Sequence, residues 1–93
     1  MMKISDIKSL IENNEIDNAI TLLQQQLDKE ISNIEKADIY YVLGNAYRKK
    51  TDWKNALDSY QKSTELNPES PAVEARKMTM DILEFFHKDM YNQ

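Results

Sequence analysis

The 93-residue chain has no cysteine, a single glycine and two prolines. Without cysteine there is no disulfide, no thiolate nucleophile and no Cys-based metal site, which agrees with a reducing compartment. One glycine and two prolines supply little material for the tight turns of hairpins, so sheet is not expected and helix is the default. Charged or polar residues interrupt every apolar run. No signal peptide is readable after Met1, and nowhere do eighteen apolar residues follow one another. The expected setting is the cytoplasm, away from membranes. Basic residues are outnumbered, 12 against 16, for a net charge of −4. A duplex-binding protein draws much of its affinity from Lys and Arg displacing counterions, so nucleic acid is not an expected partner.

What is present is helical periodicity. Ile4, Ile7, Leu10 and Ile11 form one stripe, which predicts a first helix from about Ile4 to Asn13, with Ser5 able to cap a slightly later start. Asn13-Asn14 interrupts it, and asparagine tolerates the left-handed conformation that a tight helix–helix turn requires. Ile16, Ala19, Ile20, Leu23 and Leu27 predict a second helix over about Glu15–Lys29. Ser32 through Glu35 has the form of a capping box, opening a third helix that runs to about Lys50. Asp52 is a good N-cap for a fourth, Trp53–Leu66. Asn67-Pro68 stops that helix, because a residue before proline is pushed out of helical conformation. Ser70-Pro71, an N-cap followed by proline, starts a fifth that should reach about Met90. Connections this short make neighbouring helices antiparallel and in contact.

Between residues 37 and 68, Tyr40, Leu43, Gly44, Tyr47, Ala56, Tyr60 and Pro68 fall at fixed intervals. Small Gly44 and Ala56 let two antiparallel backbones approach, while Tyr40, Leu43, Tyr47, Trp53, Leu57, Tyr60 and Leu66 interlock around the contact. This spacing resembles the tetratricopeptide repeat (TPR), with Tyr40 and Tyr60 standing where the commonest forms have Trp and Phe. Thr51 departs from the glycine usual at the turn. Aligning Ala19 with Ala56 sets Ile16 against Trp53, Leu23 against Tyr60 and Asn14 against Thr51. In that eroded copy Asp6 and Ile7 replace Leu43 and Gly44. The chain thus resembles small stand-alone bacterial TPR proteins. The resemblance implies a single all-α domain, 1–93, coiled as a right-handed αα-superhelix. It would comprise a degenerate repeat (1–33), a well-formed repeat (37–70) and a capping helix (71–91).

The resemblance also implies a function: a concave wall of first helices that receives a peptide or a helix of another protein. The residues it assigns to that wall are Lys8, Asp38, Tyr41, Asn45, Arg48, Lys49, Arg76 and Thr79, with Ile4, Ile11, Ala72 and Ala75 beside them. Amides and cations on such a wall can satisfy a peptide backbone and its carboxylates; the same residues also suit a plainly solvated helix face. Of the set with which some TPR proteins grip chaperone tails, Asn45 matches one place. Tyr41, Ile4, Ala75 and Thr79 stand where polar or basic groups would be needed, so that clamp is not present as such. The surplus of cations at Arg48, Lys49 and Lys50 reads either as charge complementing a helix C-terminus or as an anion-attracting patch.

The last helix carries more apolar residues than one narrow stripe holds. The face near Ala75, Met78, Ile82 and Phe85 or Phe86 is expected to cover the preceding repeat. Met80, Leu83, Phe86, Met90 and Tyr91 are then a second candidate interface, for docking or homodimerisation; the alternative is a broad core-facing stripe with a frayed tail. No catalytic, metal or cofactor site is expected. His87, the only histidine, sits between Glu84 and Lys88 as in a salt-bridged helix surface. Asp81, Glu84 and Asp89 lack the pattern of a calcium loop. Gly44 lies inside a helix, so no phosphate loop exists, and no nucleophile motif accompanies the histidine.

Overall fold

Five α-helices make up the described residues: α1 (Ile4–Glu12), α2 (Ile16–Leu27), α3 (Asn33–Lys49), α4 (Trp53–Leu66) and α5 (Ala72–Tyr91). The computed structural model describes residues 3–91, with side chains described to residue 85. Among the described residues there is no strand. The body measures 51 × 29 × 17 Å. Its least dimension is short of two full helix diameters of about 10 Å each, as fits two interlocked helix layers. Helix α3 packs most extensively on α4, and α5 closes the array against α4.

The ends of the helices follow from local chemistry. Lys3 precedes α1 and its backbone N–H donates to the Asp6 carboxylate at 3.0 Å, so the helix begins at Ile4 and Ser5 falls inside the first turn. At α3 the Ser32 hydroxyl accepts the Glu35 backbone N–H at 3.1 Å and itself donates to the Glu35 carboxylate. Half of the expected capping box is therefore replaced by a side-chain pair. Asp52 caps α4 through the backbone N–H of Asn55, and Asn67 ends that helix extended, at φ −147° and ψ 101°, as the following proline demands. Ser70 caps α5 by accepting the Ala72 N–H.

The two helix pairs end their first helices identically. Asn14 has φ 69° and Thr51 φ 62°. At the first turn Asn14 N–H donates to Ile11 and Glu15 N–H to Leu10. At the second, thirty-seven residues on, Thr51 N–H donates to Arg48 and Asp52 N–H to Tyr47. Both are Schellman motifs, which satisfy carbonyls a helix end would leave unpaired. The turn that departs from glycine nonetheless keeps the left-handed geometry.

The cores differ in how they fill the same slot. A Cβ on Gly44 would lie 2.3 Å from Cε1 of Tyr60, so the Tyr60 ring occupies the space that the missing side chain leaves. In the first pair the corresponding residues are Ile7 and Leu23, both fully buried in one cluster. A glycine facing a tyrosine has been exchanged for two mid-sized aliphatics. Ala19 and Ala56, equivalent by position, are both fully buried.

Helix α5 buries Ala75, as expected, but not the bulkier residues expected beside it. Ala72, Ala75 and Thr79 are buried, whereas Met78 is 57% and Ile82 38% exposed, and Phe85 is 64% exposed. Ala72 and Ala75 share one buried cluster with Tyr60 and Ala56, against which Tyr41 and Tyr47 pack, so two small side chains of α5 meet a large ring there. Bulkier Met78 and Ile82 lie on the flank. Met80 is 44% exposed and Leu83 partly buried. Phe86, Met90 and Tyr91 lie outside the described side chains, as does His87.

Candidate functional site

Between α1 and α3 a cavity of about 250 Å³ is lined by Lys8, Ile11, Glu12, Tyr41, Val42 and Asn45. Ile11 and Val42 are buried and form its apolar floor. The Schellman turn after α1 and the capped start of α3 fix the two helices in antiparallel pairs, so residues about one helical turn apart face the same opening. Three expected wall residues, Lys8, Tyr41 and Asn45, thus meet in one place. Glu12 joins them; its signal in the sequence was its position four residues after Lys8, on the same face of α1.

The Tyr60 ring reaches this wall from behind. It comes from α4, is fully buried, and lies over Gly44. Its hydroxyl donates to the Asn45 side-chain oxygen at 2.5 Å, and its ring centroid is 6.2 Å from that of Tyr41, tilted by 39°. Burial pushes the Tyr60 phenol above its ordinary pKa, while the nearby Arg48 guanidinium pulls it down and Tyr41 adds to the rise. Arg48, three residues on from Asn45 in α3, is partly buried.

The remaining expected wall residues are elsewhere or are engaged. Asp38 and Ile4 line a second cavity of about 350 Å³ with Lys3, Gln26, Ile31, Glu35 and Ile39. Lys49 donates from Nζ to the Ile11 carbonyl at 2.8 Å, supplying to the end of α1 the cation that helix lacks in its own last turn. Lys50 pairs with Asp17 in the first turn of α2, and that carboxylate raises the Lys50 pKa. Two of the three clustered cations therefore join the second helix pair to the first. Thr79 does not stand on the wall: it is fully buried, its hydroxyl donates to the Ala75 carbonyl, and it presents nothing to a partner. Arg76 is half-buried, and its Nε is buried without a hydrogen-bond partner among the described residues.

Among the described residues no group of His, Asp or Glu stands where it could hold a metal ion, and no helix is long and apolar enough to cross a membrane.

The tetratricopeptide repeat model matches residues 37–70, the span containing Gly44, Ala56 and Tyr60. Among solved structures, the Bacteroides fragilis protein BF1650, determined in solution by NMR, is similar with a TM-score of 0.87 and 52% sequence identity. The likeness covers 100% of this chain and 92% of that one. No curated protein matches the chain.

Proposed function

The chain belongs to the tetratricopeptide repeat family, and from that premise we propose that it is a non-catalytic module receiving a peptide or extended segment of a partner protein in the α1–α3 groove. The repeat supports protein–protein interaction in general, and the family is generally non-catalytic. The single observation that carries the finer reading is the cavity uniting Lys8, Tyr41 and Asn45 from two helix pairs. Its apolar floor can take a side chain. Lys8, Tyr41, Asn45 and the adjacent Arg48 can hydrogen-bond the carbonyls and carboxylates of a bound chain.

The test is capture from the native cell by the parent protein, compared with Asn45→Ala/Arg48→Ala. A partner of the groove is lost from the double variant while the variant keeps its helical content. A captured protein retained equally by both overturns the groove as the binding face.

A second reading rests on the exposed flank of α5, where Met78 and Ile82, four residues apart, present apolar side chains; such a surface suits docking on a second copy or a larger assembly. Sedimentation of the parent protein and of Met78→Glu tests it. A mass that rises with concentration only in the parent supports self-association, and a monomer at every concentration removes it.

A further inference from the structure

The Tyr60 hydroxyl does something that packing alone does not require. A phenylalanine would fill the space over Gly44 equally well, since the contact there is made by ring carbons Cε1, Cδ1 and Cζ. The hydroxyl instead passes through the layer between α4 and α3 and meets one side chain, Asn45.

A hydroxyl has a single proton to give. Asn45 Oδ1 is the only acceptor the Tyr60 hydroxyl finds among the described residues, and Arg48, whose charge acts on the phenol, can only donate. Were the Asn45 amide turned the other way, its Nδ2 would donate to the phenol oxygen. The hydroxyl proton would then be buried with no acceptor, which native structures avoid. The raised pKa of Tyr60 agrees with a phenol that keeps its proton. The amide is thereby committed to one orientation. Its Nδ2 makes no hydrogen bond within the described residues, and Asn45 lines the α1–α3 cavity.

We propose that Tyr60 is a positioning residue: its buried hydroxyl holds Asn45 by the oxygen, so that the two Nδ2 protons stand ready to donate to a peptide carbonyl in the groove. The proposal rests on the groove being the binding face. Without the hydroxyl the amide can occupy either orientation, and only one is competent. Halving the competent fraction raises an apparent dissociation constant about twofold.

The experiment uses the full chain labelled with ¹⁵N, as the parent, as Tyr60→Phe and as Asn45→Asp, with N-methylacetamide as the peptide-group probe. In the parent, the Asn45 Nδ2 protons are expected as a dispersed pair that the probe shifts. In Tyr60→Phe the pair is expected to lose its dispersion towards the values of exposed Asn18, and the probe to bind about twofold more weakly. Asn45→Asp keeps an acceptor for Tyr60, and with it the fold, but loses the probe response at the groove. It carries the test should Tyr60→Phe unfold: Asn45→Asp protein that binds the probe as well as the parent overturns the proposal. Unchanged Asn45 Nδ2 resonances in a folded Tyr60→Phe protein overturn the orienting role. A probe that shifts no groove resonance in the parent, while Tyr60→Phe still frees the amide, overturns the groove reading and leaves the hydrogen-bonded lock standing as structure only.

Discussion

Gly44→Ala adds one methyl group to a helix interior, a change that by propensity alone stabilises by about 1 kcal/mol. Here the added carbon would stand 2.3, 2.4 and 2.9 Å from three atoms of the Tyr60 ring. Carbon atoms rest about 3.5–4.0 Å apart, so ring or helix must shift by roughly an ångström or more. The ring has little freedom to do so, being fully buried and tied through its hydroxyl to Asn45. Overpacking of this kind costs about 1–3 kcal/mol, and the top of that range fits an obstacle of ring carbons. Subtracting the propensity gain leaves a net loss of about 1–2 kcal/mol. For a domain this small that lowers Tm by roughly 4–16 °C, readable by far-UV circular dichroism and by the urea midpoint. Tyr60→Leu, which imitates Leu23 of the first pair, removes the obstacle, so Gly44→Ala on that background should stabilise. The double-mutant cycle then yields a coupling of about 2 kcal/mol, well above the additivity limit of distant sites. Gly44→Ala that stabilises the parent, or that adds independently to Tyr60→Leu, would refute the reasoning.

Thr51→Gly should raise stability by about 1 kcal/mol in urea denaturation, because a branched side chain at φ 62° carries strain that glycine does not. Asn14→Gly should gain less, since asparagine tolerates that region. Ser63→Ala should cost about 1–3 kcal/mol, because the buried Ser63 hydroxyl bonds the Ala37 carbonyl and pairs with the Ser70 hydroxyl, and its removal strands buried partners. Tyr60 and Lys50 both have raised pKa values, so their native states hold protons more tightly than the unfolded chain. Their contribution is fully present below about pH 10 and is lost as pH rises through the folded values. Stability measured from about pH 8 to about pH 11.5 should fall at the alkaline end, and Tyr60→Phe should flatten part of that fall.

Much of the architecture was readable because it is written in local chemistry. Asp52, Asn67-Pro68 and Ser70 mark helix ends through groups within three residues, and α4 begins and ends at the expected residues. Gly44 and Ala56 signal a close crossing because few residues are small enough to permit one, and the ring that meets Gly44 there is Tyr60. What was not readable depends on distance in three dimensions. Lys49 caps α1 across 38 residues, and nothing near Lys49 in the chain names Ile11 as its acceptor. On α5 hydrophobicity favours Met78 and Ile82 beside Ala75, whereas the face turned inward is Ala72, Ala75 and Thr79, the two alanines sharing a cluster with Tyr60. In the groove, Lys8, Tyr41 and Asn45 came from the resemblance to the repeat, whereas Asp38 opens onto another cavity, beside Lys3 and Ile4 at the start of α1.

The unequal filling of the two helix-pair slots bears on how the chain chooses its own partners while folding. If α1 were offered to α4, Ile7 would meet the Tyr60 ring where only a hydrogen fits. If α3 were offered to α2 in the same slot, Gly44 would face Leu23 across a void. One mispairing is overfull and the other hollow, and each is penalised. Two helix pairs that share a turn but fill their slots differently are thereby penalised for trading partners, within one molecule or between two.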